Sequence, residues 1–379
     1  MQTSVVIAGY ARSPFHFAKK GELTKVRPDE MAAQVVRGLL DKTGVDPADI
    51  EDLIVGCAFP EGEQGLNVAR LIGFLADLPL SVAGTTINRF CGSSMQAIHM
   101  AAGAIQMDAG RAFICAGVES MTRVPQGGFN PLLHPGLADR FPQAYISMGE
   151  TAENLAEKYA ISRARQDELA LTSHQRAAAA RAAGKFVDEI VPLRLGNHTI
   201  DTDGCIRPDT DSAALAGLKP AFKVEGSVTA GTSSPLTDGA AAVLVTTEDY
   251  AKAHGLTPLA RLRSIAVAGC APEIMGIGPV EATKKALARA GVELADIDVI
   301  ELNEAFAAQA LAVVEELGID LDKTNIDGGA IALGHPLGAT GARITGKAAE
   351  IMQRDGKGLA LATQCIGGGQ GIATVLEAA

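Results

Sequence analysis

Four side chains in this sequence combine a type and a setting suited to covalent or acid–base chemistry: Cys91, His335, Cys365 and Asn303. Cys91 follows a strand-like stretch at 85–88 and opens a helical pattern. The apolar positions of that pattern, Met95, Ile98, Ala102 and Ile105, step by 3, 4 and 3. A cysteine at a helix N-terminus meets the positive end of the helix dipole and free N–H groups, which favours the nucleophilic thiolate. Gly92 beside it leaves room for a substrate to approach. The same position also suits a buried, unreactive cysteine. His335 lies in a run with Gly328, Gly329, Gly334, Gly338 and Gly341, and Pro336 stiffens the chain behind the imidazole. The glycine spacing matches neither a dinucleotide fingerprint nor a P-loop. A histidine held in a loop hydrogen bond is the plainer alternative.

Cys365 falls between two apolar strands in a segment that continues Gly367, Gly368, Gly369. Such a hairpin lets backbone N–H groups point into a site. A thiol near its pKa can give and take a proton, although core filling or a disulfide would equally explain Cys365. Asn303 ends the strand-like 299–302 and precedes a helix. Its amide can orient water or donate to an oxyanion, or it can cap the helix with Glu304 in the first turn. The small polar segment 228–239 suits either an extended ligand or a turn between domains. His99, His134, His174, His198 and His254 show no metal spacing and are read as structural or surface residues.

An internal echo points to the elements that position these residues. Residues 44–50 (GVDPADI) and 291–297 (GVELADI) match at an offset of 247 (291 − 44), each after a helical stretch, 31–40 and 280–290. Each is followed by a strand, a second strand-like piece (85–88 and 324–327), a glycine-bearing turn, an alanine-rich helix and another strand (112–117 and 358–363). The reading is two duplicated α/β halves with mostly parallel sheets. The Cys91 and His335 turns then occupy equivalent places at sheet C-terminal ends, where α/β proteins bind ligands. Residues 121–236 interrupt the first half. Prolines and Gly127-Gly128 make 121–142 a loop, helical patterns cover 151–159 and 163–184, and 196–219 is irregular. An insertion of this size is expected to be a lid or ligand-binding loop domain. The expected division is 1–120 with 237–258, then 121–236, then 259–379.

Composition narrows the class. In 379 residues, 47% are hydrophobic, 20% charged and 4% aromatic, with no Trp and 42 Gly. That excludes disorder, collagen and coiled coil, and predicts a core of small side chains. With 33 basic and 44 acidic residues the formal charge is −11, which argues against nucleic acid as a partner. A small anion remains compatible, because it needs only a helix N-terminus or a local cluster. The six cysteines have no zinc-module spacing and read as reduced thiols. The Asp201-Thr202-Asp203-Gly204 stretch lacks the glutamate of a calcium loop. No metal is expected. Neither a leader peptide nor an apolar run near 18 residues is evident, so no membrane contact and a cytoplasmic location are expected.

Taken together, four segments resemble the thiolase family over essentially the whole chain: 88–98 (NRFCGSSMQAI), 303–307 (NEAFA), 334–338 (GHPLG) and 365–369 (CIGGG). The first of them and 146–154 (ISMGETAEN) are most similar to the branch that degrades 3-ketoacyl-CoA, with acetoacetyl-CoA thiolases the neighbouring branch. The resemblance implies two α/β halves in a five-layer αβαβα arrangement and an inserted coenzyme A-binding loop domain. It also implies coenzyme A as co-substrate with no permanent cofactor, and a homodimer or homotetramer; a β-oxidation multienzyme subunit is a candidate partner that the sequence leaves open. Carried over by position, it makes Cys91 the acyl-accepting nucleophile, His335 its activator and Cys365 the proton donor and acceptor. Asn303 would hold a water in one oxyanion hole, and the N–H groups of Cys91 and Gly367 would form the other. Ser234, Met148 and Lys219 would contact coenzyme A, with Lys219 standing where many relatives have Arg. A non-catalytic acyl-CoA carrier on this scaffold is the alternative from another class. A condensing synthase fits less well, because Cys365 stands where those enzymes use His or Asn.

Overall fold

In the computed structural model, which describes residues 3–379, the first half runs β1 (Val5–Arg12), β2 (His16–Phe17), α1 (Pro28–Thr43), β3 (Asp52–Gly56), α2 (Val68–Leu75), β4 (Ala83–Ile87), α3 (Ser93–Gln106) and β5 (Ala112–Ser120). Residues 121–236 carry α4 (Pro135–Arg140), α5 (Met148–Lys158), α6 (Arg163–Ala182), the ribbon β6 (Leu193–Leu195) and β7 (His198–Ile200), and α7 (Ser212–Ala216). Next come β8 (Thr237–Thr247), α8 (Glu248–Ala253), β9 (Ala260–Gly269), α9 (Gly278–Ala290), β10 (Val299–Leu302), α10 (Ala307–Leu317), α11 (Ala330–Leu333), α12 (Thr340–Asp355), β11 (Leu359–Ile366) and β12 (Gln370–Glu377).

The strand order is β10-β11-β12-β9-β1-β8-β5-β3-β4, with β2 beside β8. At its middle, β1 and β9 meet only through Val6↔Arg261 and Ile7↔Ala260. Outward from that junction the halves repeat each other. β8 and β12 are each antiparallel to both neighbours, and β5 with β3 mirrors β11 with β10 as a parallel pair. The expectation of mostly parallel sheets is therefore corrected to mixed sheets. β12 returns beside β11 through a tight hairpin, which must be antiparallel, and β8 returns antiparallel beside β5 after the long excursion of residues 121–236. The strand expected at 324–327 is also absent, reduced to one bridge between Ile300 and Thr324. Asn325 takes a left-handed φ of 47°, and its side-chain amide replaces the ladder: Oδ1 accepts from Leu302 N–H at 3.0 Å and Nδ2 donates to Leu302 O at 2.8 Å.

Burial sorts the elements into layers. Met31, Val35, Leu39 and Ile72 of α1 and α2 pack on Val6, Leu53, Val55 and Ile114 of the first sheet. Val280, Ala286 and Leu287 of α9 and Val313 of α10 cover Ile300, Leu361 and Val375 of the second. Between the sheets, Met95, Ile98 and Ile105 of α3 share a core with Ile344, Ile351 and Met352 of α12, reaching Val243 and Val245 on one side and Ile366, Ile372 and Leu376 on the other. The result is α–β–α–β–α. Each fully buried Ile, Leu or Met there contributes about 1.5–3 kcal/mol. The two middle helices cross at their N-termini, where a Cβ on Gly341 would sit 2.2 Å from Met95 N. That crossing brings the Cys91 and His335 turns toward one another.

Residues 121–236 are tied to both halves by buried ion pairs. Arg12 of β1 reaches Glu189 at 2.6 Å and Asp203 at 2.7 Å, and Lys347 of α12 reaches Glu189 at 2.9 Å. α5 starts where a capping box dictates, Ser147 with Glu150, and α6 where Ser162 caps the Arg165 N–H. The segment expected as plain loop, 121–142, contains the short helix α4, started by Pro135 after the His134 cap. Among the described residues no helix is long and apolar enough to cross a membrane.

Candidate active site

Cys91 sits in a single 3-10 turn, Phe90–Gly92, one step ahead of α3. The residue before it, Phe90, is held at φ 42°, a left-handed conformation that costs a non-glycine residue about 1–3 kcal/mol. The surroundings over-determine that turn. The Phe90 N–H donates to Asn88 Oδ1 at 2.8 Å, the Arg89 N–H to Ser93 Oγ at 2.9 Å, and Ser93 Oγ–H to the Phe90 carbonyl at 2.6 Å. The second half grips it too: Gln364 Nε2 donates to the Cys91 carbonyl and Arg89 Nη1 donates to Gln370 Oε1 at 2.8 Å. A Cβ on Gly92 would lie 2.5 Å from Ile366 Cδ1. The room that Gly92 makes is therefore for packing between the halves, not for a substrate.

The expected low-pKa thiolate is corrected as well. Burial pushes the Cys91 thiol up to about 11, the Gly367 backbone N–H pulls it back, and the Glu119 carboxylate pushes it further up. At neutral pH Cys91 rests as a thiol and needs a base. The helix dipole does not offset desolvation at a position before the first helical residue.

His335 follows α11 on a loop wedged against the first sheet. A Cβ on Gly338 would meet the carbonyls of Val118 and Gly56 at 2.5 and 2.7 Å, and one on Gly117 would meet Gly338 O at 2.0 Å. Only bare backbone lets β3, β5 and this loop touch. The His335 N–H donates to Thr237 Oγ1 at 3.0 Å. The ring Nδ1 lies 2.6 Å from Thr340 Oγ1, whose hydroxyl donates to the Pro336 carbonyl at 3.0 Å. With that proton committed, Thr340 accepts from Nδ1–H, and Nε2 is assigned the free lone pair, 3.4 Å from Asn303 Nδ2. Burial, with Arg343 nearby, holds the imidazole down to about 3, so it is a neutral base over the working range.

Asn303 is not a helix cap: α10 begins at Ala307 with Phe306 before it. Glu304 is buried too, accepting from Ser173 Oγ at 2.7 Å, Asn325 Nδ2 at 2.8 Å and the Ile331 N–H at 3.2 Å. Asn303 Oδ1 is buried without a protein partner. The amide thus faces His335 with one acceptor free for a small polar guest. Cys365 is the next-to-last residue of β11, paired with Gly371, and the reversal is made by Gly367, Gly368 and Gly369, the last two at φ 79° and 83°. Burial raises the Cys365 thiol, and the charge of a Cys91 thiolate would raise it further. Gly367 lies between Phe90 and Met148, with Met148 Sδ 3.4 Å from where its Cβ would be. Beside Cys91, Ala58, Met121, Leu337 and Phe59 form an apolar wall.

The structure thus gathers Cys91, Cys365, Gly367, Met148, and the His335–Asn303 pair at the seam of the halves. Ser234 borders them, its N–H donating to the Ala305 carbonyl at 2.9 Å. Lys219 is not brought to the sulfurs. It is exposed, three residues before Phe222, whose ring meets Phe306 edge-on at 5.7 Å and lies against Gly149. Sequence reasoning missed Thr340, Gln364 and the strained Phe90. A hydroxyl one turn after His335 was the available signal for Thr340; nothing local flags the other two. Among the described residues no group of three or more His, Cys, Asp or Glu is placed to hold a metal ion.

Known proteins match this arrangement over its whole length. Residues 5–249 match the model of the thiolase N-terminal domain and residues 256–378 that of the thiolase C-terminal domain. A 3-ketoacyl-CoA thiolase of Bacillus subtilis is 48% identical over 390 aligned positions, covering 100% of both chains. One of Shewanella frigidimarina is 50% identical, covering 98% of each. Among solved structures, human mitochondrial 3-ketoacyl-CoA thiolase in complex with CoA superposes with a TM-score of 0.92 at 38% identity, covering 100% of this chain and 98% of that one. The Bacillus anthracis acetyl-CoA acetyltransferase does so at 0.91 and 40%, covering 100% and 99%. The chain belongs to the thiolase family.

Proposed function

We propose that this enzyme cleaves 3-oxoacyl-CoA with coenzyme A, releasing acetyl-CoA and a shortened acyl-CoA, through an acyl group carried on Cys91. The observation that carries the reading is the convergence at one seam of the Cys91 turn, the His335 loop whose Leu337 packs beside Cys91, the Asn303 amide facing His335, and the Cys365 strand end packed against Met148 and Ala305. Breaking a carbon–carbon bond beside a ketone needs a nucleophile that later leaves, a stabiliser for the departing enolate and an acid to protonate it. His335 Nε2 takes the Cys91 proton, and the thiolate adds to the 3-oxo carbon. The bond to C2 breaks, and its electron pair, held as enolate, takes a proton from Cys365. Coenzyme A thiol then loses its proton to the Cys365 thiolate and attacks the acyl-Cys91, which leaves as thiolate and regains its proton. The acyl oxygen is held by the N–H groups of Cys91 and Gly367, the enolate oxygen by His335 and a water on Asn303.

Coenzyme A is a co-substrate with no permanent cofactor beside it, lying along Met148, Ser234 and Lys219, within the division 1–120 with 237–258, 121–236 and 259–379. A homodimer, or a homotetramer built from it, is supported by β4. Among the described strands this edge strand pairs with β3 alone, and beside it Leu66, Leu71, Phe74 and Leu80 are exposed. The setting is fatty-acid β-oxidation in the cytoplasm, which fits the bacterial source of the relatives, with a β-oxidation multienzyme subunit as a candidate partner. A second reading, acetyl-CoA acetyltransferase, is kept because that activity names one of the solved neighbours. Thiolysis rates on 3-oxoacyl-CoA from four carbons upward decide between them. Turnover of longer chains supports the proposal, turnover of acetoacetyl-CoA alone selects the second reading, and no turnover with no acyl adduct on Cys91 refutes both.

A further inference from the structure

Glu119, at the end of β5, is a carboxylate with no cation. It is 1% exposed and forms no ion pair among the described residues. Every group that touches it is a donor. Oε2 accepts from the Ala58 N–H at 2.8 Å and the Gly338 N–H at 2.9 Å. Oε1 accepts from Gln64 Nε2 at 2.9 Å, the Phe59 N–H at 3.2 Å and the Cys57 thiol at 3.7 Å. Burial raises the Glu119 carboxyl, and the Ala58, Gly338 and Phe59 N–H groups and the Gln64 amide, all donors, favour its charged form. The donors come from separate places. Ala58 and Phe59 belong to the wall beside Cys91, and Gly338 is three residues past His335.

We infer that Glu119 is a positioning residue: it pins the His335 loop against the Cys91 wall and, as a carboxylate with no cation behind that wall, adds to the burial that keeps Cys91 a thiol until a base takes its proton. The site is then built to ionise its nucleophile in step with His335 and to stay inert otherwise. The titratable groups gathered around Cys91 are Glu119 of β5, Cys365 of β11 and His335 on the loop whose Leu337 packs beside it; Cys57 faces Glu119 itself. Of these, Glu119 alone is surrounded by hydrogen-bond donors only. The inference rests on the roles proposed above for Cys91 and His335.

The test is the pH profile of Cys91 alkylation by iodoacetamide, read by mass spectrometry, beside steady-state thiolysis in the full-length protein. Glu119→Gln removes the charge and is expected to move the alkylation midpoint down by about one pH unit while kcat falls about tenfold or more. Glu119→Asp keeps the charge on a shorter arm, so the midpoint stays while kcat falls. Gln64→Leu removes one of the five donors to Glu119 and leaves its charge in place, so the midpoint is unchanged. A midpoint in Glu119→Gln equal to that of the unaltered chain, or an unchanged kcat, overturns the inference. Should Glu119→Gln not fold, Glu119→Asp decides: a lower kcat with the midpoint kept supports the inference, and an unchanged kcat overturns it. An unaltered protein that turns over no 3-oxoacyl-CoA would instead strike at the proposed function, a separate result from an unmoved midpoint.

Discussion

The two halves repeat the same strand directions and differ at two connections. After β5 the first half spends residues 121–236 before returning as β8; after β11 the second returns as β12 through Gly367, Gly368 and Gly369. The long connection covers the site from outside. The short one delivers a thiol and a backbone N–H into it. Ahead of the middle helices the difference reverses. The first half has the tight turn that carries Cys91, and the second has α11 and the long glycine-bearing loop that carries His335. Duplication therefore supplied two corresponding turns ahead of the middle helices, facing one another, and divergence placed a cysteine in one and a histidine in the other. Asn303 and Cys365, both from the second half, complete the set. Neither half holds a working group of residues.

The comparison breaks hardest at the first half's turn. Cys91→Ala should lower kcat by about 10⁴-fold or more and leave no covalent acyl adduct on incubation with 3-oxoacyl-CoA. Intact-mass spectrometry that finds a stoichiometric adduct would overturn the assignment. Cys365→Ala, on the second half's short connection, should separate two steps. Acyl transfer from a plain acyl-CoA onto Cys91 persists, while carbon–carbon cleavage falls by about 10²–10³-fold for want of its acid. Equal loss of both steps would show that Cys365 serves geometry alone. Thr340→Val removes the acceptor that fixes the imidazole tautomer and should lower kcat about tenfold with KM for coenzyme A little changed; an unaltered kcat would place the tautomer under other control.

The smallest effect is on stability across pH. Cys57, Cys115 and Cys365 are held well above the ordinary thiol range by burial. A raised folded pKa gives stability that is complete below the unfolded value, near 8.5, and is lost as pH rises. His99 and His335 are held down to about 3, chiefly by burial, so their contribution is complete above the unfolded value, near 6.5, and is lost as pH falls toward 3. Each group changes stability by up to about 1.4 kcal/mol per pH unit in its window. Melting temperature should peak between about pH 6.5 and 8.5; a steady rise through pH 10 would contradict the burial of these thiols.

Much of this molecule was legible in its sequence because the informative features are local. The 44–50 and 291–297 echo sits at the same turn of each half, and α3 shows its buried face through Met95, Ile98 and Ile105. Glycines beside Cys91, His335 and Cys365 marked three turns. What escaped depended on distant neighbours. Strand direction at β8 and β12 is set by which strand each lies against, which no periodicity reports. The resting state of Cys91 is set by desolvation and by Glu119, from a strand of its own half whose approach the sequence does not announce. Asn325 read as part of a strand because its side chain imitates the backbone partner that a strand would have supplied.

The middle layer has a thermal consequence. Ile98 and Ile344 are each fully enclosed only while both sheets stand, since their shared core takes side chains from β8 on one face and from β11 and β12 on the other. The stretch between residues 249 and 256, where one family segment stops and the next starts, is thus no line of weakness. On heating, a calorimeter should record one cooperative endotherm for the whole protein, and fragments cut at that stretch should melt only as a reassembled pair.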